Sequence, residues 1–376
     1  MDIAALLALL LRRREFPLLA ATLIASWGPP GRRLIGADFM PPRVGMDNAG
    51  TIDNLRYFTI AAPSTTRYSS APLEDGGEMF ASLNYSLGDG KIARQFTGSD
   101  YDGLVGYLAR NETMEAIAAV IGWSNTALLQ SLVERSEFQI WKVLTSGGYG
   151  KFGDNGFVEI VNGPDLSGQF IEAAEDWSDP EVNPYPVIEA RIQRLVSQGF
   201  VKSGIRIVFT DQVRTILKNN PFTAVKSGKS LLVTNSDGTV QTQPISGIVD
   251  DSDIDKIFRA MGVQAPITYD ERGWTTAKVQ KRFFPEGNMA FIASTGRNEN
   301  VRFNHDNPAD VRAVLVPNIV GVVGIGRANG QSVAGRRVAV RPYTDEAAAR
   351  LEGEAWTTED PLLLEPLAVC GLFGIQ

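Results

Sequence analysis

The central part of the chain carries an apolar pattern of helical period. Apolar residues recur at spacings of three, four and seven between Ser99 and Ser146, and charged residues fall between them. This spacing places the apolar side chains on one face of a helix. It predicts one long helix over Leu104–Leu144, bent near Gly122 and ended by the glycines that follow Ser146.

The pattern before this helix is typical of a β-hairpin. Short β-prone runs lie at Tyr57–Ile60 and Phe80–Leu87, and the polar stretch Ser64–Gly77 separates them. Two strands around a long exposed loop fit this arrangement. An isolated hairpin is only marginally stable in water, so we expect this one to rest on another surface.

A mixed α/β region follows the long helix. A strand at Gly156–Val161 comes first, and the polar loop Asn162–Pro186 then indicates a boundary between two compact units. Apolar spacing beyond it predicts helices and strands. These are a helix through Ile188–Val196 ended by Gly199, a strand at Ile205–Phe209, a short helix around Val213–Leu217, a hairpin turned at Asn235–Gly238, a helix around Ile254–Met261, and strands at Ile267–Tyr269, Met289–Ala293, Val311–Val316, Val338–Val340 and within Pro361–Phe373.

The first 50 residues are predicted to form an extended arm. They carry two short apolar runs, Ile3–Leu11 and Leu18–Trp27, together with six arginines and with prolines and glycines that interrupt regular structure. Positive charge follows the first run instead of preceding it, which is not the pattern of a secretion signal. Neither run reaches the roughly 20 apolar residues of a membrane span. We expect both to pack against the body of the protein or a neighbouring subunit.

Composition excludes several classes of protein. The chain has 376 residues, 44% of them hydrophobic, and a formal net charge of −7. This length suggests two or three compact units, and the apolar content is too high for a disordered chain. One cysteine, Cys370, and one histidine, His305, make an internal disulfide impossible and a zinc site improbable. The negative charge also disfavours nucleic-acid binding over the whole surface.

Two glycine motifs match phosphate-binding loops only in part. Gly148–Gly153 has the GxGxxG spacing, but it follows a helix and leads into a strand, whereas a dinucleotide fingerprint leaves a strand and opens a helix. Gly321–Gly326 has a different spacing and lacks the lysine of a P-loop. We interpret the first as a glycine-rich turn and the second as a close-packed β segment. The sequence predicts no cofactor-binding residues.

Two polar groups are weak candidates for chemistry. The first comprises Asp250, Asp251, Asp253 and Asp255. These carboxylates could attract calcium, but Lys256 stands where an EF-hand loop needs glycine, and acidic residues at the start of a helix explain the cluster better. The second is His305, which no nucleophile-elbow motif accompanies. The sequence therefore predicts no catalytic residues, no metal ligands and no enzyme.

The order of the predicted elements resembles a known architecture. Three stretches carry the likeness: Asn183–Asn219 with its helix, strand and short helix, Ile267–Phe291 with a proline-bearing approach to a strand, and the closing strand of Thr358–Val369. They resemble the Hong Kong ninety-seven fold of tailed-phage major capsid proteins, in particular the lambda-type family called major capsid protein E. The fold class that this resemblance implies is α+β.

The resemblance implies four parts and a role in assembly. The parts are an N-terminal arm at residues 1–50, an extended E-loop hairpin at 51–96, a peripheral domain with a long spine helix at 97–185 and 297–355, and a mixed α/β axial domain at 186–296 and 356–376. Copies of such a protein assemble into hexamers and pentamers. These form the icosahedral head shell that encloses double-stranded DNA.

The resemblance also implies the partners and the location. Besides itself, the protein would contact scaffold, portal and cement or decoration proteins, and packaged DNA non-specifically, but no membrane. It would lie in the virion after assembly in the host cytoplasm. The arginines of the arm are candidates for contacts with DNA or scaffold, or for ion pairs between subunits. Two alternatives stay open: an encapsulin-like compartment shell, and an α/β enzyme or ligand-binding protein.

Overall fold

The computed structural model describes most of the chain after residue 33. The described residues are 34–57, 78–96, 99–152, 158–234, 240–244, 249–274, 279–293, 300–302, 311–313, 320–328, 334–345 and 348–376. Several predicted features lie outside them. These are the first 33 residues of the arm, the loop Ser64–Gly77 and the turn Asn235–Gly238.

Helices and sheets are both present, in agreement with the predicted α+β class. The helices are α1 (Ser99–Ala109), α2 (Thr113–Trp123), α3 (Gln130–Ser146), α4 (Tyr185–Ser197), α5 (Asp211–Asn219), α6 (Pro221–Lys226) and α7 (Asp251–Ala260). A π-helical segment, Ser124–Leu129, joins α2 to α3. Short 3₁₀ helices cover Gly36–Asp38, Lys202–Gly204 and Pro366–Ala368.

The prediction of one helix over Leu104–Leu144 is wrong at its start. Residues 110–112 separate α1 from α2, and Asn111 there adopts a left-handed backbone with a φ of 60°. Asparagine tolerates this conformation better than most residues do. Beyond the break the helix is continuous from Thr113 to Ser146. We call this continuous element, made of α2, the π-helical segment and α3, the long helix.

The long helix ends where the sequence predicts. Gly147 has a φ of 77° and donates its N–H to the carbonyl of Val143, which is a common way for helices to terminate. The long helix also has the length and apolar composition of a membrane-crossing helix, and 47% of its most apolar window is buried within the fold. Core helices of globular proteins meet the same criterion, and this helix packs on a sheet.

The described strands form two five-stranded sheets, one four-stranded sheet and three two-stranded ribbons. Their bounds are β1 (Pro42–Val44), β2 (Ala49–Tyr57), β3 (Glu78–Ser86), β4 (Asp89–Phe96), β5 (Gly148–Phe152), β6 (Val158–Asn162), β7 (Phe170–Glu172), β8 (Ile205–Phe209), β9 (Ser230–Thr234), β10 (Val240–Pro244), β11 (Ile267–Thr268), β12 (Arg272–Trp274), β13 (Gln280–Arg282), β14 (Met289–Ala293), β15 (Asn300–Arg302), β16 (Val311–Ala313), β17 (Gly321–Ile325), β18 (Arg337–Asp345), β19 (Ala348–Leu363) and β20 (Val369–Phe373).

The first five-stranded sheet is organised around the long strand β19. The first part of β19 lies between β18 and β4, and its last residues pair with β17. β1 adds to β17 in parallel. The predicted limits at residue 50 and between residues 355 and 356 both cut across this sheet, because β1 belongs to the expected arm and β19 crosses the second limit. The division into domains stays a prediction.

The second five-stranded sheet has the order β11-β8-β14-β20-β7. The predicted strands Ile205–Phe209 and Met289–Ala293 are confirmed residue by residue as its antiparallel centre. The expected loop Asn162–Pro186 is wrong in part, because β7 lies within it and pairs in parallel with β20. With three residues, β7 is too short for its own sequence to show a strand pattern.

The predicted hairpin is confirmed, although its first strand begins earlier than expected. β2 and β3 pair in antiparallel register from Ala49 with Ser86 to Tyr57 with Glu78. β15 pairs with the other edge of β2, and β16 pairs with β15. The strand expected at Tyr57–Ile60 therefore overlaps the observed one only at Tyr57. Residues 58–60 lie outside the described residues.

One continuous core connects residues 34–40, which we call the N-terminal segment, with α3 and the second sheet. Trp141 of α3 lies at its centre with no exposed surface. Its ring contacts Phe39, Tyr269 and Phe284 at centroid distances of 5.8, 5.4 and 5.0 Å. Full burial of such a side chain stabilises a fold by roughly 1.5–3 kcal/mol. This aromatic group thus ties segments that are distant in sequence to one helix.

The contact between the long helix and β19 requires a glycine. A Cβ atom on Gly353 would lie 2.5 Å from Trp123 and 2.7 Å from Leu128. We expect Gly353→Ala to lower the free energy of unfolding by about 1–3 kcal/mol, because overpacking moves both side chains. The measurement is urea unfolding followed by circular dichroism. The control is Gly122→Ala, where a Cβ meets nothing within 4 Å and a gain of about 0.5–1 kcal/mol is expected. Wild-type stability of Gly353→Ala would contradict this packing.

Candidate functional site

The first glycine motif does not have the geometry of a phosphate loop. Gly148–Phe152 is strand β5, which follows α3 and pairs with β6 in antiparallel register. The prediction of a turn is therefore wrong for most of the motif. The second motif, Gly321–Gly326, falls on β17, and the prediction of a close-packed β segment is confirmed. A Cβ on Gly321 would lie 2.3 Å from the carbonyl oxygen of Leu362.

The acidic cluster begins α7, as expected. The Asp250 carboxylate accepts the N–H of Asp253 at 3.1 Å, and the Asp253 carboxylate accepts the N–H of Asp250 at 3.0 Å. This N–H, followed by the ammonium group of Lys229, lowers the pKa of Asp253 to about 2. Both aspartates are thus occupied as helix caps. The described part of the chain contains no group of three side chains placed to hold a metal ion.

Within the part of the chain that the structure describes, the remaining candidates bring no reactive serine, cysteine or histidine to an accessible site. His305 lies outside the described residues. Cys370 is fully buried in β20, and burial raises the pKa of its thiol to about 12. A cleft of about 350 Å³ lies against α4 and α7. Its lining residues are Glu189, Ile192, Gln193, Lys202, Lys226, Ile257, Ala260 and Met261, and they include no serine, cysteine or histidine.

The most elaborate polar group surrounds Glu137 of α3, which is fully buried. Its carboxylate accepts the N–H of Gly36 at 3.0 Å, the indole N–H of Trp141 at 2.8 Å and the hydroxyl of Tyr269 at 2.6 Å. Burial, followed by the negative charge of Glu137, raises the pKa of Tyr269, so this hydroxyl remains a donor. We call these four residues the Glu137 cluster. The Glu137 cluster connects the N-terminal segment and the loop that begins at Tyr269 after β11, which we call the Tyr269 loop, to the long helix.

A second contact holds the N-terminal segment from the other side. The Arg206 guanidinium of β8 donates to the carbonyl of Asp38 at 3.0 Å and lies 3.9 Å from the centre of the Phe39 ring. Burial lowers the pKa of Arg206 to about 10, which leaves it charged at neutral pH. Residues 34–40 are therefore part of the folded body and not of a free arm.

A buried ion pair fixes β19 to the same helix. Arg336 donates to the Glu359 carboxylate at 2.9 Å and to the hydroxyl of Ser136 at 3.1 Å, and Ser136 also contacts Glu359. All three residues are at most 3% exposed. Removal of one partner of such a buried pair strongly lowers the stability of a fold, because the other charge stays buried without a counter-charge. We call these three residues the Glu359 cluster.

The sequence pattern predicts neither cluster, although it contains one signal for the first. Glu137 stands four residues after Val133 and four before Trp141, and both of these residues are buried. The helical period therefore places Glu137 on the apolar face, where a charged residue needs partners. Nothing in the sequence identifies those partners. Gly36 and Tyr269 lie 101 and 132 positions away.

Comparison with known proteins gives likenesses in structure. No protein-family model matches the chain, and no curated protein matches it. A protein assigned as the capsid protein of an E. coli CFT073 prophage is 13% identical, with a TM-score of 0.55 over 95% of this chain and 99% of that one.

Two further structures match at lower TM-scores. A phage-related protein from Bordetella bronchiseptica RB50 is 14% identical, with a TM-score of 0.48 over 95% of this chain and 96% of that one. A chain of the satellite phage P4 procapsid, solved with its size determination protein, is 9% identical, with a TM-score of 0.45 over 96% and 99%.

The match with the prophage protein decides the architecture. The chain has a capsid-protein fold. The likeness extends over nearly the full length of both chains and confirms the expected Hong Kong ninety-seven type class. At this level of identity it shows the fold alone. The names arm, E-loop, spine helix, peripheral domain and axial domain stay predictions.

Removal of the Glu137 carboxylate should destabilise the fold strongly. Glu137→Ala leaves the donors of Gly36, Trp141 and Tyr269 without an acceptor, and we expect a loss of about 3–5 kcal/mol in the free energy of unfolding. Urea unfolding followed by circular dichroism measures it. Glu115→Ala, at an exposed position of α2, serves as control and should change stability by less than about 1 kcal/mol. Equal effects of the two variants would contradict the role of the cluster.

Because Asp253 caps α7 in its ionised form, we expect the stability of the protein to depend on pH in the acidic range. Folding lowers the pKa of Asp253 from 3.8 to about 2. The ionised carboxylate therefore contributes stability above about pH 4, and this contribution disappears as the pH falls towards 2. We expect Asp253→Asn to lower stability at pH 6 and to reduce the further loss between pH 4 and pH 2. Thermal unfolding at several pH values tests this. Parallel curves for the wild-type protein and the variant would contradict it.

Proposed function

We propose that this chain is the major capsid protein of a tailed bacteriophage. It assembles into pentamers and hexamers that form the icosahedral head shell around double-stranded DNA. The observation that supports this most is the likeness in fold to the prophage capsid protein over 95% of this chain and 99% of that one. The role is structural, and shell formation requires no catalytic residues, cofactor or metal ion.

The proposal includes the four parts that the sequence predicts. The arm falls within the expected residues 1–50, and residues 51–96 form the E-loop, 97–185 and 297–355 the peripheral domain, and 186–296 and 356–376 the axial domain. The long helix then serves as the spine helix. The pairing of β1 with β17 supports a shorter arm that ends before Leu34, because residues 34–44 pack and pair within the body.

The hairpin supports contacts between subunits. β2 and β3 each contain nine residues, which corresponds to a length of about 30 Å. Among the described strands, β3 pairs with β2 only, so no other described strand covers its second edge. Large obligate interfaces cover such elements with a neighbouring copy. In the proposed shell, the hairpin reaches the adjacent subunit.

The further partners follow from the same proposal. Scaffold, portal and cement or decoration proteins contact the shell, and the packaged DNA touches its inner wall non-specifically. The protein lies in the virion after assembly in the host cytoplasm. A net charge of −7 is compatible with this position, because weak attraction allows the DNA to leave. The arm arginines contact DNA or scaffold, or pair with acidic residues between subunits.

Shortening the hairpin tests this function. The described register ends at Tyr57 with Glu78, so an Asn-Gly turn can replace residues 58–77 and leave the strand pairing intact. We expect the unassembled variant to unfold at the wild-type temperature, because the paired strands remain. We expect its assembly to fall at least about tenfold, since the contact with the neighbouring copy is lost. Sedimentation velocity and light scattering measure the assembled fraction.

The control shortens a second hairpin in the same way. Thr234 pairs with Val240 in the ribbon of β9 and β10, and an Asn-Gly turn can replace residues 235–239. This variant should assemble like the wild-type protein. Normal assembly of the variant lacking residues 58–77 would contradict the proposed contact. A wild-type chain that stays monomeric would contradict the shell itself and favour an enzyme or a ligand-binding protein. Shells that hold cargo protein instead of DNA would favour an encapsulin-like compartment.

A further inference from the structure

The second glycine motif of the sequence lies against the base of the hairpin of β2 and β3. A Cβ atom on Gly324 would lie 2.9 Å from the sulfur of Met46 and 3.1 Å from the Leu87 side chain. A Cβ atom on Gly326 would lie 3.0 Å from Leu87 and would overlap with the amide oxygen of Asn48. Glycine within a strand often marks the close approach of another segment. Both glycines here make room for residues that flank the hairpin.

Asn48 and Leu87 form the base of the hairpin itself. Ala49 and Ser86 are the last pair of the register, and just beyond them the N–H of Leu87 donates to the carbonyl of Asn48 at 2.7 Å. The Leu87 side chain is buried together with Met46 in a small apolar cluster. Both strands of the hairpin therefore leave the body from the same point.

The side chain of Asn48 pairs with the backbone of Arg327 as a residue of a neighbouring strand would. Its amide nitrogen donates to the carbonyl of Arg327 at 2.9 Å, and its amide oxygen accepts the N–H of Arg327 at 2.9 Å. Asparagine carries a donor and an acceptor on one short group, which this arrangement requires. Since Arg327 follows β17 by two residues, this pairing connects the hairpin to the first five-stranded sheet.

The base of the hairpin is the junction between two separate sheets. Among the described strands, no backbone ladder joins the four-stranded sheet of the hairpin to the first five-stranded sheet. The chain enters the base through Gly45, which has a φ of 95° and where a Cβ would meet nothing within 4 Å. Glycine adopts this conformation without strain, and its backbone is the least restricted of all residues. The direction of the hairpin therefore depends on the contacts at its base.

We infer that the backbone of Gly324, Gly326 and Arg327, which we call the hairpin seat, fixes the direction in which the hairpin leaves the body. Asn48 is the positioning residue that holds the hairpin in this seat. The consequence for assembly rests on the proposed function. In the proposed shell, a hairpin held in one direction meets the adjacent copy with a smaller loss of conformational freedom. Loss of the seat therefore weakens assembly without unfolding the chain.

Two spin labels measure the direction of the hairpin in the unassembled chain. Glu78→Cys places one label at the far end of the described hairpin, and Arg259→Cys places the other at an exposed position of α7. The native Cys370 is fully buried and stays unlabelled. Pulsed electron paramagnetic resonance then gives the distribution of distances between the labels. We expect a narrow distribution with Asn48 present and one at least about twofold broader for Asn48→Ala, because both hydrogen bonds to Arg327 are lost.

Three further variants make the result specific. Ser86→Ala changes an exposed residue at the base of the hairpin and should keep the narrow distribution. Asn48→Asp has nearly the same shape but no donor for the carbonyl of Arg327, and should broaden the distribution as Asn48→Ala does. Gly326→Ala should broaden it too, because its Cβ overlaps with the Asn48 amide. Circular dichroism verifies that each variant is folded, and the Asn48 variants carry the test if Gly326→Ala does not fold.

Assembly is measured separately, by sedimentation velocity across a concentration series. We expect the chain concentration at half assembly to rise at least about tenfold for Asn48→Ala and to keep its wild-type value for Ser86→Ala. A narrow distance distribution in Asn48→Ala, or equal broadening in Ser86→Ala, would overturn the seat. Broadened distances with wild-type assembly would overturn its consequence for the shell. A wild-type chain that never assembles would contradict the proposed shell, whereas the distances would still decide whether the seat exists.

Discussion

The architecture depends on one buried carboxylate. Glu137 lies on the apolar face of the long helix and accepts hydrogen bonds from the N-terminal segment, from its own helix and from the Tyr269 loop. Three donors are needed there because a carboxylate removed from water is costly unless it is well solvated by protein groups. The same group that would destabilise an apolar core thereby specifies how three distant segments meet. The Trp141 ring fills the space between them.

The Glu359 cluster connects the sheet around β19 to the same helix, again through buried polar groups. Arg336 and Glu359 join the sheet to Ser136, one residue before Glu137. One turn of helix thus fixes both the N-terminal segment and the longest strand. In the proposed shell, both clusters hold each copy in one arrangement, as a symmetric assembly of identical subunits requires. In the proposed shell, the hairpin of β2 and β3 contributes to contacts between copies.

The sequence predicted elements better than it predicted connections. Strands Ile205–Phe209 and Met289–Ala293 were found from local apolar runs, because they are buried at the centre of a sheet. β7 was missed because three residues carry no period, and the break at Asn111 was missed because apolar spacing continues across it. The partners of Glu137 could not be predicted, since a hydrogen bond across more than 100 positions leaves no local trace. The order of elements nevertheless sufficed to recognise the fold class.

Electron microscopy of the purified chain in negative stain tests the central claim most directly. The account predicts closed shells of uniform diameter, or rings of five and six subunits, formed by this chain with or without a scaffold. The proposed contact of the hairpin of β2 and β3 with a neighbouring copy would hold such an assembly together. A uniform population of 40.8 kDa monomers under all conditions would contradict it. That result would mean that a capsid-protein fold here serves a function other than a shell.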